Sequence, residues 1–107
     1  MIIGLLSIIT TMLTINDIRD AVLEIAPDYG VSSAYLFGSY ARGEQQASSD
    51  VDLVLELGRP LGFKRSALMD ALEERMGVPV DVVFGESQLY MPVREQFNND
   101  KVMLYEL

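Results

Sequence analysis

At 107 residues the chain has the length of one domain, and folding at this size buries roughly 65% of the unfolded surface. There are 16 acidic against 8 basic side chains, a net charge of −8, and His, Cys and Trp are absent. These counts exclude a Ser-His-Asp triad, a thiolate nucleophile, a disulfide and an ordinary zinc site, argue against a sequence-independent grip on nucleic acid, and leave any metal to oxygen ligands.

Residues 1–13, MIIGLLSIITTML, are largely aliphatic and uncharged. They fall short of the roughly 20 apolar residues that cross a bilayer, and they lack the basic start and small-residue cleavage site of a signal peptide. The segment reads as an extension ahead of the domain: an added strand or partner-contacting piece, a membrane-associated tail, or residues upstream of a start at Met12. The domain itself is expected over 14–107. The lack of cysteine suits a reducing, cytoplasmic setting, and no membrane partner is expected.

Thr14 followed by Asp17 has the form of a helix N-cap with an acid at its third position. Ile15, Ile18, Val22 and Ile25 then recur at helical spacing until Pro27. Ser33 to Phe37 reads as a strand running into a turn at Gly38. Residues 50–57, DVDLVLEL, and 79–84, PVDVVF, alternate as strands do. Between them lies a helix with Ala67, Leu68, Ala71, Leu72 and Met76 on one face, ended by Gly77. A last helix, starting at about Ser87 or Pro92 and reaching Phe97, precedes the apolar run Val102 to Tyr105. The fold class that follows is α/β in the α+β sense, a small sheet backed by helices.

The chemistry sits in the middle third. Side chains at i and i+2 of a strand share a face, so Asp50 and Asp52 project together while Val51, Leu53, Leu55 and Leu57 project to the other side. In the later strand Val80, Val82 and Phe84 form the apolar set, which puts Asp81 opposite them. If the two strands are neighbours, three carboxylates converge, and such crowding calls for a neutralising cation. With no His or Cys, the matching ion is a hard one such as Mg²⁺, held by carboxylates and substrate phosphates.

An Asp pair at a strand start is also common in solvated loops, and what changes its meaning is the segment before it. In Phe37-Gly38-Ser39-Tyr40-Ala41-Arg42-Gly43-Glu44, Gly38 permits a sharp turn and close approach to a ligand. Ser39 offers a hydroxyl and an amide, and Arg42 can fork onto a phosphate. Gly-Ser, ten intervening residues, then Asp-x-Asp arises by chance on the order of once in a thousand chains of this length. Tyr40 reads as a packing residue and Lys64 and Arg65 as solvated charges. Glu44 is a candidate for orienting the loop.

These residues resemble the nucleotidyltransferase superfamily that includes DNA polymerase beta and the kanamycin nucleotidyltransferases. The resemblance runs from about Thr14 to the C-terminus and is closest to the minimal nucleotidyltransferases (MNT), antitoxins that act beside HEPN-domain toxins. It implies a small mixed sheet of the polymerase beta-like palm type, with Asp50 and Asp52 bridging the Mg²⁺ ions that bind ATP and Asp81 as the third carboxylate, completing the metal site or helping to deprotonate the acceptor. Gly38 and Ser39 would hold the triphosphate, with Arg42 assisting. The activity it implies is transfer of AMP from ATP to a tyrosine hydroxyl of a HEPN ribonuclease toxin, releasing pyrophosphate. Two alternatives stand beside it: transfer of AMP to a small hydroxylated molecule such as an aminoglycoside, and a non-catalytic acidic antitoxin that masks a basic toxin by binding alone.

Overall fold

The computed structural model describes residues 13–107, so the readings of the extension up to Met12 lie outside the described residues. Helix α1 (Ile15–Ile25) begins where the sequence places it. The Asp17 amide donates to Thr14 Oγ1 at 3.1 Å and the Thr14 amide donates to Asp17 Oδ2 at 2.9 Å, a reciprocal box that satisfies two otherwise free donors. Its inner face, Ile18, Ala21 and Val22, is buried, and Leu13 packs on the same core. Pro27 redirects the chain into a 3₁₀ turn (Ala26–Tyr29), from which it enters strand β1 (Val31–Phe37), two residues earlier than the apolar run suggested.

β1 runs directly into a five-residue helix α2 (Gly38–Arg42), then the chain returns as β2 (Val51–Leu57). Helix α3 (Lys64–Met76) connects β2 to β3 (Val80–Phe84). A 3₁₀ turn (Glu86–Gln88), helix α4 (Met91–Asp100) and strand β4 (Val102–Glu106) complete the order. The sheet has the order β3-β2-β1-β4, with β2 and β3 parallel and the other pairs antiparallel. This is the small mixed sheet with helices that the sequence implied.

The pleat sorts the strand residues between two cores. Val31, Leu36, Val51, Leu53 and Leu55 join α1 and α3 in the larger one, together with Leu68, Leu72 and Met76. Val54, Leu89 and Phe97 form a smaller core on the other face, with Tyr35, Phe37, Val83 and Val93 packed against it. Phe97 is 1% exposed, and its ring meets those of Tyr35 and Phe37 edge to face, at centroid distances of 5.9 and 5.6 Å. Strands buried on both faces carry consecutive rather than alternating apolar residues, which is why Leu53-Val54-Leu55 and Val82-Val83-Phe84 break strict alternation. α4 thus covers part of the acid-bearing face and leaves the rest as one wall of a cavity.

Candidate active site

Strand register builds the centre of the site. Asp52 pairs with Phe37 across β1–β2 and with Asp81 across β2–β3, so it stands between the end of β1 and the second acid. Asp52 and Val54 share a face, as do Asp81 and Val83, which places both carboxylates beside the smaller core. A cavity of about 500 Å³, in the size range of small-molecule sites, is lined here by Gly38, Ser39, Arg42, Asp52 and Asp81 among others. Five of the six residues selected from the sequence therefore meet in one place. Asp50, the residue before β2, is not part of that lining and acts on Asp52 through its charge.

Gly38 has φ of 75°, the left-handed region that glycine enters without penalty. A methyl built there would overlap Asp52 Oδ2 and stand 3.1 Å from its Cγ. The bare backbone is what lets the β1–α2 turn lie against the carboxylate. Tyr40, on the next turn, is 4% exposed and packs into the larger core, in keeping with its reading as a packing residue.

Burial pushes the Asp52 carboxyl up to about 6, and the neighbouring charges of Asp81 and Asp50 push in the same direction against a smaller opposing pull from Arg42. Among the described residues no salt bridge is made to Asp50, Asp52 or Asp81. Nor are three or more acidic side chains gathered there as a closed cage. The arrangement instead leaves a half-buried carboxylate beside a second one, with hard oxygen donors and no protein cation paired to either among the described residues. That is the donor chemistry and the charge deficit that a divalent cation accompanied by phosphate oxygens would meet.

Arg42 is not free. Its Nε donates to Glu44 Oε1 at 2.8 Å and its Nη1 to Asp100 Oδ2 at 2.9 Å, which ties α2 to the end of α4. Glu44 therefore partners the arginine. Lys64 and Arg65 are exposed, and the Arg65 guanidinium lies 4.6 Å from the centre of the Phe84 ring; neither lines the cavity.

Sequence reasoning missed the opposite wall: Gln88, Leu89, Tyr90, Val93, Gln96 and Asp100. In the sequence this segment is only where the last helix begins, at about Ser87 or Pro92, and nothing local announces that Asp100 faces Arg42 across 58 positions. The signal available was weaker, an aromatic and a glutamine just before a Pro at the start of a helix.

With this geometry in hand, known proteins supply the family. Residues 15–105 match the family described as Nucleotidyltransferase domain. The chain belongs to that family. Protein adenylyltransferase MntA of Thermococcus cleftensis is 35% identical over 81 residues, 71% of this chain and 82% of that protein. The likeness to the minimal nucleotidyltransferases read from the sequence is upheld. A solved toxin–antitoxin complex with AMP-PNP contains a chain of the same fold, with TM-score 0.70 and 23% identity over 83% of this chain and 73% of that one. A chain in the complex of tri-AMPylated Shewanella oneidensis HEPN toxin with MNT antitoxin superposes with TM-score 0.65 and 18% identity, over 88% and 74% of the two chains. Like its family, this nucleotidyltransferase is suited to a nucleotide substrate. Among the described residues, no helix is long and apolar enough to cross a membrane.

Proposed function

We propose that this nucleotidyltransferase is a Mg-ATP-dependent protein adenylyltransferase, an antitoxin that attaches AMP to a tyrosine hydroxyl of a HEPN ribonuclease toxin in the cytoplasm. The observation that carries the reading is the close approach of the Gly38 backbone to the half-buried carboxylate of Asp52, with Asp81 beside it in register. The names of its relatives support the same chemistry: one is a protein adenylyltransferase, and one related fold occurs in a complex whose toxin is AMPylated.

Each residue has a part in the transfer. The Gly38-Ser39 turn presents bare backbone and the Ser39 hydroxyl to the triphosphate, where a side chain at 38 would block the approach. Arg42 pairs with carboxylates at rest and can exchange one of them for a phosphate oxygen, a partner of the same geometry and greater charge. Asp50, Asp52 and Asp81 would hold Mg²⁺, which when bound offsets the crowded carboxylates and stabilises charge on the attacking and leaving oxygens. In the transfer, the tyrosine Oη forms a bond to the α-phosphorus of ATP, the bond from that phosphorus to the bridging oxygen breaks, and pyrophosphate departs. The phenol proton passes to a carboxylate oxygen of Asp81, which lines the cavity and is the more exposed of the two acids.

The test is incubation of the cognate HEPN protein with this chain and Mg-ATP, followed by peptide mass spectrometry. The expected product is an AMP adduct on a toxin tyrosine, absent when Asp52→Asn replaces the wild type. An unmodified toxin after full incubation with the wild-type chain contradicts the reading.

A further inference from the structure

Five tyrosines occur in the chain, and four of them are held by packing or by hydrogen bonds. Tyr40 is 4% exposed in the larger core, and Tyr29 packs against that core. The Tyr35 hydroxyl donates to Glu106 Oε2 at 3.2 Å, and the Tyr105 hydroxyl donates to the Val31 carbonyl at 2.6 Å. Tyr90 differs in each respect. It is 70% exposed, its hydroxyl makes no hydrogen bond among the described residues, and it lines the same cavity as Asp52 and Asp81. We propose that Tyr90 is a self-acceptor, a site at which the chain attaches AMP to its own phenol oxygen. The inference rests on the reading of the chain as a tyrosine adenylyltransferase and goes beyond it, because that reading concerns a tyrosine on another protein.

A fixed backbone carries this side chain. Leu89, 6% exposed, anchors the segment in the smaller core, and Nη2 of Arg94 lies 3.3, 3.1 and 3.1 Å from the carbonyl oxygens of Glu86, Ser87 and Leu89. The Arg94 amide donates to the Tyr90 carbonyl at 2.9 Å, which holds the residue at the head of α4. Leu89 shares its core with Val83, and Val83 shares a strand face with Asp81 two positions away, a rise of about 7 Å. Asp81, Val83, Leu89 and Tyr90 thus form one strip of the cavity lining, with the acid at one end and the phenol at the other. A separation of two strand positions is of the order that a tyrosine side chain covers. Tyr90 belongs to neither core, so its ring can turn into the cavity without leaving a packed position.

The lining offers two hydroxyls, Ser39 and Tyr90. A phenol ionises more readily than an aliphatic hydroxyl, and Ser39 lies in the turn that faces the triphosphate, which leaves Tyr90 as the acceptor. In the step, Tyr90 Oη forms a bond to the α-phosphorus of ATP, the bond from that phosphorus to the bridging oxygen breaks, and pyrophosphate departs. The phenol proton passes to a carboxylate oxygen of Asp81. An acceptor tethered to the cavity wall has an effective concentration in the millimolar range, so the chain labels itself when no other tyrosine occupies the site. The AMP stays attached at the cavity, which limits the reaction to one turnover per chain.

The experiment is incubation of the folded chain alone with Mg-ATP, read by intact and peptide mass spectrometry, beside a second incubation that also contains the cognate HEPN protein. The expected result is one AMP per chain, located on Tyr90 and absent from Asp52→Asn and from Tyr90→Phe, which keeps the ring and removes only the acceptor oxygen. An adduct on Tyr90 of the chain as purified is the same result. The rate per chain is expected to stay constant on dilution, as transfer within one molecule requires. A toxin that gains AMP while the chain gains none overturns the self-acceptor and leaves the transferase reading standing. An adduct on another residue, an adduct that persists in either variant, or a rate that falls in proportion to dilution overturns it as well. If neither the toxin nor the chain is labelled, both readings fall.

Discussion

Gly38 and Asp52 occupy adjoining space across the β1–β2 pair: a methyl at position 38 would overlap one carboxylate oxygen of Asp52 and sit 3.1 Å from its Cγ. The glycine is needed twice over, once for its φ of 75° and once for the room it leaves. Substitution tests both at the same time. Gly38→Ala is expected to destabilise the fold by about 1–3 kcal/mol, the cost of a non-glycine residue in that conformation with a close contact added. It should also abolish measurable nucleotide binding, because the displaced turn and carboxylate no longer share the cavity. Chemical denaturation and ATP titration on the same preparation check the two effects.

Asp52 is a carboxylate that the fold tolerates at a cost. Its ordinary value of 3.8 rises to about 6 through burial and through the charges of Asp81 and Asp50. A carboxyl raised in the folded state binds its proton more tightly there than in the unfolded chain. This group therefore favours folding below pH about 4 and progressively disfavours it as the pH rises to about 6. The full shift would correspond to about 3 kcal/mol, and because the side chain is only half-buried about 1 kcal/mol is expected. Asp52→Asn in metal-free buffer should accordingly be more stable than wild type by about 1 kcal/mol at pH 7.5 and equal to it near pH 4, as read by urea denaturation. In the transfer assay the same variant should lose at least about a hundredfold in rate, as expected when an interaction worth several kcal/mol in the transition state is removed.

Arg42, which lines the cavity with Asp100, bridges Asp100 and Glu44 in a partly exposed pair of contacts. Such pairs contribute about 0–1 kcal/mol to folding, so Asp100→Asn should change the melting temperature little. Its effect on ligand should be larger. With one negative charge removed from the lining and the guanidinium released, tripolyphosphate affinity is expected to rise severalfold, by calorimetry at low ionic strength, and the gain should shrink as salt screens it.

The reciprocal cap of α1 takes no part in the cavity lining. Thr14→Ala removes the acceptor for the Asp17 amide and is expected to cost about 1 kcal/mol by thermal denaturation, with nucleotide affinity unchanged.

Local rules made the elements around the site legible. Thr14 and Asp17 mark the start of α1, Gly77 the end of α3, and alternation in DVDLVLEL puts Asp52 on a defined face. The spacing of Gly38-Ser39 to Asp50-x-Asp52 carried the family, since the chain needs that many residues to make α2 and return as β2. The parallel register of Asp52 with Asp81 could be anticipated only on the condition that β2 and β3 are neighbours. Long-range placement was not legible. The partnership of Arg42 with Asp100 and the wall of Gln88 to Tyr90 depend on where α4 docks, and that is set by Phe97 meeting Tyr35 and Phe37 rather than by any pattern near the residues concerned. The short helix α2 was foreshadowed only as a turn after Gly38, because five residues are too few for a period to show.

Catalysis and mere contact make opposite predictions for one substitution, which gives the central claim its most direct measurement. The ribonuclease activity of the cognate HEPN protein is followed after incubation with Mg-ATP and either the wild-type chain or its Asp50→Asn, Asp52→Asn double variant. Adenylyl transfer predicts that the wild type silences the toxin at substoichiometric amounts and that the folded double variant leaves it active. A double variant that still silences the toxin, or a wild type that needs one copy per toxin and no ATP, would contradict the account.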